Sequence, residues 1–317
     1  MTMTSSRDER GIASDGDVAQ ILRHLGRWDP DRGRALPEER GVATRIAHLR
    51  QADAWDCGIA CLQMVMQWGR REEEDGVDDG DEEDGASSGG AAAARRRRSE
   101  AAWLRRMVGT TSIWTIDLVF LVERLFADRS VSGNAAAPTP PLSYVFCSTK
   151  FGVDPDFIEL DYYRDQFSAD ELRVQRLFDL ARKGRPRVPL LRTPRLSLES
   201  LVDIVDRRGV VAIVLLDNKV LANARPMPSY SGHYVLLCGV SRDEDRVRDA
   251  HARLLEEGGR RGDGAAATVA NFAMVVKNPA HGETVEFVAP SLFELAWRAR
   301  GTDEDVVFFS RRNPRLA

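Results

Sequence analysis

The sequence lacks most of the features that would assign it to a special class. No apolar run in its 317 residues approaches the roughly 20 that cross a bilayer. Residues 1–17 are polar and have no apolar centre, so they do not read as a secretory signal. Cysteine is scarce: four residues are too few for a disulfide framework and point to a reducing compartment. Excess charge of one sign is small, at −4 overall, which gives no reason to name a nucleic acid or a membrane surface as partner. There is no phosphate-binding glycine loop, no dinucleotide fingerprint and no internal repeat. What remains is an ordinary composition, 43% hydrophobic and 30% charged, expected in the cytoplasm. With the low-complexity stretches set aside, roughly 230 residues are left, enough for one well-buried core.

The most informative stretch runs from Gln51 to Met66. An amide, an aromatic and an acid lead to Cys57-Gly58, after which Ile59, Leu62, Val65 and Met66 recur at helical spacing. Cys57 therefore falls at the N-terminus of a buried helix, where free backbone N–H groups and the helix dipole favour a thiolate. Gly58 would let a substrate backbone come close. Gln51, six positions earlier, is placed to fold back and donate to an oxyanion beside the sulfur. The run resembles the active-site segment of papain-like cysteine peptidases, especially those that process bacteriocin leaders. A buried structural cysteine opening a core helix is the plainer alternative.

Along the chain, residues 1–42 read as a mostly disordered tail with a short amphipathic helix from Val18 to Trp28 capped by Asp17. A strand over Ala43–Leu49 leads into the Cys57 helix, which should end near Trp68. Residues 71–99 are acidic, then small, then a run of four arginines, and read as a disordered insertion with a solvated charge block. Helices are expected over Ala101–Val108, Ile116–Phe126, Ser168–Lys183, Ser197–Arg208 and Ser291–Arg300. Capping boxes are read at Ser168/Glu171 and Ser291/Glu294. Ser130–Pro141 reads as a loop. Strands are expected over Leu142–Ser148, Arg187–Arg192, Val210–Leu216, Tyr230–Val240, Val269–Lys277 and Asp305–Ser310, with 243–268 an enlarged loop. The pattern is α+β: an N-terminal helical part packed on a mainly antiparallel sheet, one domain over 43–310, then a tail from 311.

A thiol nucleophile needs a base, and the base needs an orienting group. His233 opens a strand and Asn278 ends the next one. An antiparallel hairpin brings the start of one strand beside the end of its partner, so these two should meet. With Cys57 they would form a Cys-His-Asn site, Gln51 supplying the oxyanion donor. His24 and His48 precede the nucleophile, His251 lies in the enlarged loop and His281 in a turn. Cys57 and Cys61 share a helix face, but no second Cys or His pair has zinc-site spacing, so no metal is assigned. Cys147 and Cys238 read as core. Asp303, Glu304 and Asp305 read as an acidic turn before a strand.

Three runs, Trp55–Cys61, Thr111–Leu118 and Gly232–Val235, with Gly301–Asp305 closing the chain, resemble the guanylyl cyclase domain-containing proteins, including the plant soluble guanylyl cyclase-like proteins. The resemblance implies conversion of GTP to cyclic GMP and pyrophosphate with Mg or Mn as cofactor. No metal-binding carboxylate pair is evident on strands, and the segment Ser143–Phe146 with Lys150 only loosely resembles the cyclase-centre pattern proposed in plants. Asn278 stands where the bacteriocin-processing peptidases have Asp before Pro-Ala, which keeps an acceptor and removes its charge. Three readings follow. The first is a thiol hydrolase, needing no cofactor, that acts on a peptide, isopeptide or related acyl bond of a peptide or protein-derived substrate. The second is the GTP cyclase. The third is a non-catalytic binding module on a papain-like fold.

Overall fold

The computed structural model describes residues 12–26, 28–29, 34–35, 42–74, 88–131, 142–186, 188–206, 209–223, 225–257 and 270–311. Seven strands form one sheet: β1 Leu142–Ser148, β2 Leu190–Arg192, β3 Val210–Asp217, β4 Gly232–Ser241, β5 Ala273–Lys277, β6 Glu286–Val288 and β7 Val306–Arg311. Their spatial order is β2-β1-β7-β3-β4-β5-β6. Only β1 with β2 is parallel; the other five pairings are antiparallel.

Eight helices of eight residues or more accompany the sheet among the described residues. They are α1 Asp15–His24, α2 Cys57–Glu74, α3 Ser88–Val108, α4 Thr115–Val131, α5 Phe167–Arg182, α6 Leu198–Asp206, α7 Glu244–Glu257 and α8 Pro290–Trp297. No described helix is long and apolar enough to cross a membrane.

The sheet is covered on both faces, and side-chain alternation sorts its strands between two cores. On one face Val211, Ile213 and Leu215 of β3 join Tyr234 and Leu236 of β4 against α2, α4 and α5. On the other, Val210, Ala212, Val214 and Leu216 join Val235 and Leu237 against α1, α6 and α8. This explains the unbroken apolar run Val210–Leu216 of β3: every residue of the strand is buried, Asp217 at its end included. Leu62, Val65 and Met66 of α2 are fully buried in the first core. Truncating one such side chain to Ala costs about 2–5 kcal/mol.

Gly58 packs α2 closely rather than opening a path to it. A Cβ there would stand 3.0 Å from the Tyr234 ring and 3.1 Å from Leu118. The helix tip touches β4 because this position is small. Upstream, the Asp56 carboxylate ties the preceding turn by accepting from Ala52 N–H at 3.1 Å and Asp53 N–H at 3.0 Å, and it pairs with Arg105 of α3.

Several sequence expectations need correction. Helix α1 is not part of a loose tail: Ser14 and Asp17 form its capping box, and Val18, Ile21 and Leu22 are buried in the second core. Residues 42–45 are one helical turn and 47–50 are irregular, so the strand expected over Ala43–Leu49 does not form. Helix α2 runs past Trp68 to Glu74, and α3 already begins at Ser88, inside the stretch taken as a disordered insertion. The acidic part of that insertion, 75–87, lies outside the described residues, as do the loop 132–141, residues 258–269 and the tail from 312. Much of the enlarged loop is α7, whose Val247 and Ala250 pack beside Phe287. Neither expected capping box forms: α5 starts at Phe167 after Gln166, and α8 starts with Pro290 at its first position.

Candidate functional site

Strand β4 extends past the end of β5. Pairing between them begins at Leu236 with Lys277, so residues 232–235 overhang. Asn278 follows Lys277 directly and fills the space beside that overhang. His233 Nε2 lies 2.8 Å from Asn278 Oδ1, both residues buried. The same Oδ1 accepts from Ala280 N–H at 3.0 Å. An oxygen that takes a backbone N–H is an acceptor, so the bond from the ring is Nε2–H donating to Oδ1. His233 Nδ1 then holds the lone pair, and no described residue hydrogen-bonds to it. Burial pulls the His233 pKa down against the raising effect of the Asn278 bond, with His281 lowering it further. A neutral ring with an open Nδ1 has the form of a general base.

Cys57 is the first residue of α2 and is 5% exposed. Its Sγ accepts from the backbone N–H of Tyr234 at 3.4 Å, one residue from His233. The thiol is pushed up to about 11, first by burial and also by Asp56, while the N–H groups of Tyr234, Gly58 and Cys57 pull it down. The helix-tip effect expected to give a thiolate is therefore present but outweighed by desolvation.

Sulfur and ring are close along the chain of contacts without bonding to each other. No hydrogen bond joins Cys57 Sγ to His233 in the structure. Tyr234 lies on the sheet face of Cys57 and Leu215, whereas His233 is paired with Leu216, which faces the other core. The rim of the sheet is where the two faces meet.

Gln51 is anchored next to the site but turned from its expected task. Its backbone N–H donates to Pro279 O at 2.9 Å, tying this segment to the Asn278 turn. Its side-chain Nε2 donates to Asp53 O at 2.9 Å, and its Oε1 is buried without a partner. An oxyanion donor role would require the amide to leave Asp53.

A narrow cavity of about 30 Å³ opens at Cys57, lined among others by Trp55, Trp114, Tyr162, Tyr163, Tyr234 and Asp303. The rings form one block: Trp114 and Tyr163 centroids are 5.2 Å apart, and Tyr163 stacks on Phe157 at 5.4 Å. The run Thr111–Leu118 shapes this wall. Asp117 accepts from Trp114 N–H at 2.9 Å, and Asp170 of α5 accepts from the Trp114 indole at 3.1 Å. Of these lining residues, Tyr162, Tyr163 and Asp303 carried no site assignment in the sequence. The tyrosine pair reaches the cavity through tertiary packing that no local period records.

A wider cavity of about 330 Å³ adjoins it and shares Asp303, with Lys150, Arg195, Arg298 and Arg300 on its wall. Each cation has a carboxylate partner: Lys150 with Asp154, Arg195 and Arg298 with Glu304, Arg300 with Glu159. Asp303 is raised to about 7, by burial first and then by Asp154, with Lys150 opposing.

The other candidates are structural. Cys61 donates to Tyr234 O at 3.6 Å, Cys238 to Leu236 O at 3.6 Å, and all four cysteines are free and buried. Among the described residues no group of three His, Cys, Asp or Glu is arranged to hold a metal. Tyr144, Val145 and Phe146, part of the loose cyclase-centre pattern, are buried strand residues. His24 closes α1, and His251 meets Ala270 O at 3.2 Å. His281 is the exception: it lies against Asn278 and Glu286.

A family profile described as guanylylate cyclase matches residues 92–309, which include His233 and Asn278 and begin after Cys57. Guanylyl cyclase 1 of Arabidopsis thaliana is 23% identical over 281 residues, covering 85% of this chain and 77% of that protein. No solved structure matches.

Proposed function

The chain belongs to the guanylylate cyclase family, and within it we propose a thiol site: a Cys-His-Asn hydrolase of papain-like architecture acting on a peptide, isopeptide or related acyl bond. The observation that carries this reading is the buried His233–Asn278 bond at 2.8 Å, which leaves Nδ1 as an unpartnered acceptor one residue from the backbone that holds the Cys57 sulfur. In the proposed reaction the Cys57 proton passes to His233 Nδ1 and the sulfur bonds to the acyl carbon. The tetrahedral oxyanion is met by N–H groups at the start of α2, which have no intrahelical acceptor. Collapse expels the amine, which takes the proton back from Nδ1. Water, deprotonated by the same nitrogen, then cleaves the thioester and restores the thiol. A thiol at about 11 stays protonated until the ring takes its proton, so the proton transfer and the attack are coupled in this scheme.

The test is covalent labelling of the full-length protein with an acyl-type electrophilic probe, mapped by mass spectrometry. Adduct at Cys57, lost in Cys57→Ala, is expected. Equal labelling of wild type and Cys57→Ala contradicts the reading.

A second reading, cyclisation of GTP to cyclic GMP, is favoured by the family itself and by the cationic wall of the 330 Å³ cavity. Lys150, Arg195, Arg298 and Arg300 would meet a phosphate chain there. The carboxylates present are committed to those cations and do not form a divalent-metal donor set among the described residues, so no step is derived through Mg or Mn. Incubation with GTP and Mg or Mn tests it. Cyclic GMP that disappears in Arg298→Ala supports this reading; no cyclic GMP from wild type with either metal rejects it.

A further inference from the structure

No acyl group reaches the Cys57 sulfur through its cavity in the arrangement described. A volume of about 30 Å³ has room for about two water molecules. Some part of the wall has to give before a reagent or a substrate enters.

Most of that wall is fixed. Trp114 donates its indole N–H to Asp170 at 3.1 Å and its backbone N–H to Asp117 at 2.9 Å. Tyr163 donates to Gly301 O at 2.9 Å and stacks on both Phe157 and Tyr230, with centroids 5.4 and 5.6 Å away. The Tyr234 hydroxyl meets Thr115 Oγ1 at 3.2 Å and Ile113 O at 3.3 Å. All three rings are buried. Trp55 packs against the first core from the turn that Asp56 ties.

Tyr162 differs from them in every respect. It is 53% exposed. Among the described residues its hydroxyl has one hydrogen-bond partner, Gly232 O, at the long distance of 3.4 Å. Its ring meets Tyr163 and Tyr230 edge to face, with centroids 4.9 and 5.1 Å away. The backbone is held without it: Leu160 O receives the N–H groups of Tyr163 at 3.0 Å and Arg164 at 3.2 Å. A turn about the Cα–Cβ bond therefore carries the ring into water while the backbone stays in place, and rotamer changes of exposed side chains are fast.

The closed position has a prepared seat. A Cβ at Gly232 would stand 3.2 Å from the Tyr162 hydroxyl and 2.8 Å from that of Tyr230. The bare backbone at 232 lets the ring lie against the start of β4, two residues from the Tyr234 N–H that holds the sulfur.

We propose that Tyr162 is a gate on the Cys57 site: with its hydroxyl on Gly232 O the ring covers the cavity, and with the ring turned to solvent the cavity opens to the sulfur. Its part in turnover rests on the thiol-site reading; the control of access does not.

Alkylation of the full-length protein by iodoacetamide, timed and mapped to each cysteine by mass spectrometry, tests it. In Tyr162→Ala the rate at Cys57 should rise, and the rates at Cys61, Cys147 and Cys238 should not. Those three buried thiols report general loosening, and Cys61 does so from one turn further along the same helix. Tyr162→Phe loses only the bond to Gly232 O and should speed Cys57 less, by up to about tenfold, the worth of one hydrogen bond. If the Ala variant does not fold, the Phe variant carries the test. An unchanged Cys57 rate in the variant that carries the test overturns the proposal, as does a rise that Cys61, Cys147 and Cys238 share. If Tyr162→Ala exposes Cys57 to iodoacetamide while the acyl probe labels neither wild type nor variant, the gate stands and the thiol hydrolase falls. If the acyl probe labels Cys57 and neither reagent responds to Tyr162→Ala, the hydrolase stands and the gate falls.

Discussion

The two halves of the site are prepared to different degrees. On the sheet side, His233 and Asn278 already hold the geometry of a base and its orienter, with the amide pinned by Ala280 N–H. On the helix side, Cys57 is 5% exposed and lines only a narrow cavity, and its thiol sits near 11 with no base in hydrogen-bond contact. The same burial acts on both and has opposite uses. It lowers the imidazole pKa and so keeps it neutral and able to accept a proton, and it raises the thiol pKa and so keeps it unreactive. On the proposed thiol reading, such a site would hold a base ready beside a resting nucleophile, and reaction would depend on bringing ring and sulfur into contact.

Changing one half at a time breaks this comparison. The largest effect falls on the helix side: Cys57→Ala removes the proposed nucleophile, and both probe labelling and any hydrolysis should vanish. Next, Asn278→Ala leaves a buried His233 Nε2–H without acceptor, which costs about 1–3 kcal/mol of stability. It should also slow hydrolysis by about 10²–10⁴-fold by freeing the tautomer. Denaturant unfolding and turnover check the two parts separately. Gly58→Val comes third. Its added atoms meet Tyr234 and Leu118, and overpacking of this kind costs about 1–3 kcal/mol. By parting helix and sheet it should make Cys57 more accessible, so small-reagent alkylation speeds up while the midpoint of unfolding falls.

The smallest effect is the acid dependence of stability. His233 has a lowered pKa in the fold, so its contribution is complete above its ordinary value of 6.5 and is lost as pH falls through the folded value. Thermal unfolding between pH 7 and 5 should show a steeper fall in wild type than in His233→Gln.

How much of this was readable beforehand follows the same division. The His233–Asn278 contact was legible because a hairpin register is a local rule: strand start meets strand end. The unbroken run of β3 gave a central strand, although its cause, a second helical layer including α1, was not visible in a short polar-looking segment. Helix α7 escaped notice because its apolar face is only Val247, Ala250 and Leu254 amid charge. The capping boxes failed where Pro290 and Gln166 set the helix starts instead. On the helix side, residue types indicated Cys57 but not its state, because desolvation depends on which side chains pack over it. The Gln51 amide went to Asp53, a turn bond that competes locally with any longer-range use. His281 and Glu286, five residues apart by way of a turn, gave no motif at all.

The most direct test of whether the two halves act as one is the rate of Cys57 alkylation against pH, in wild type and His233→Gln. With His233 accepting the thiol proton, wild type should show a rise below pH 6.5 to a plateau, then a second rise toward about 11, and His233→Gln should keep only the second. Superimposable profiles would mean that the ring never serves the sulfur.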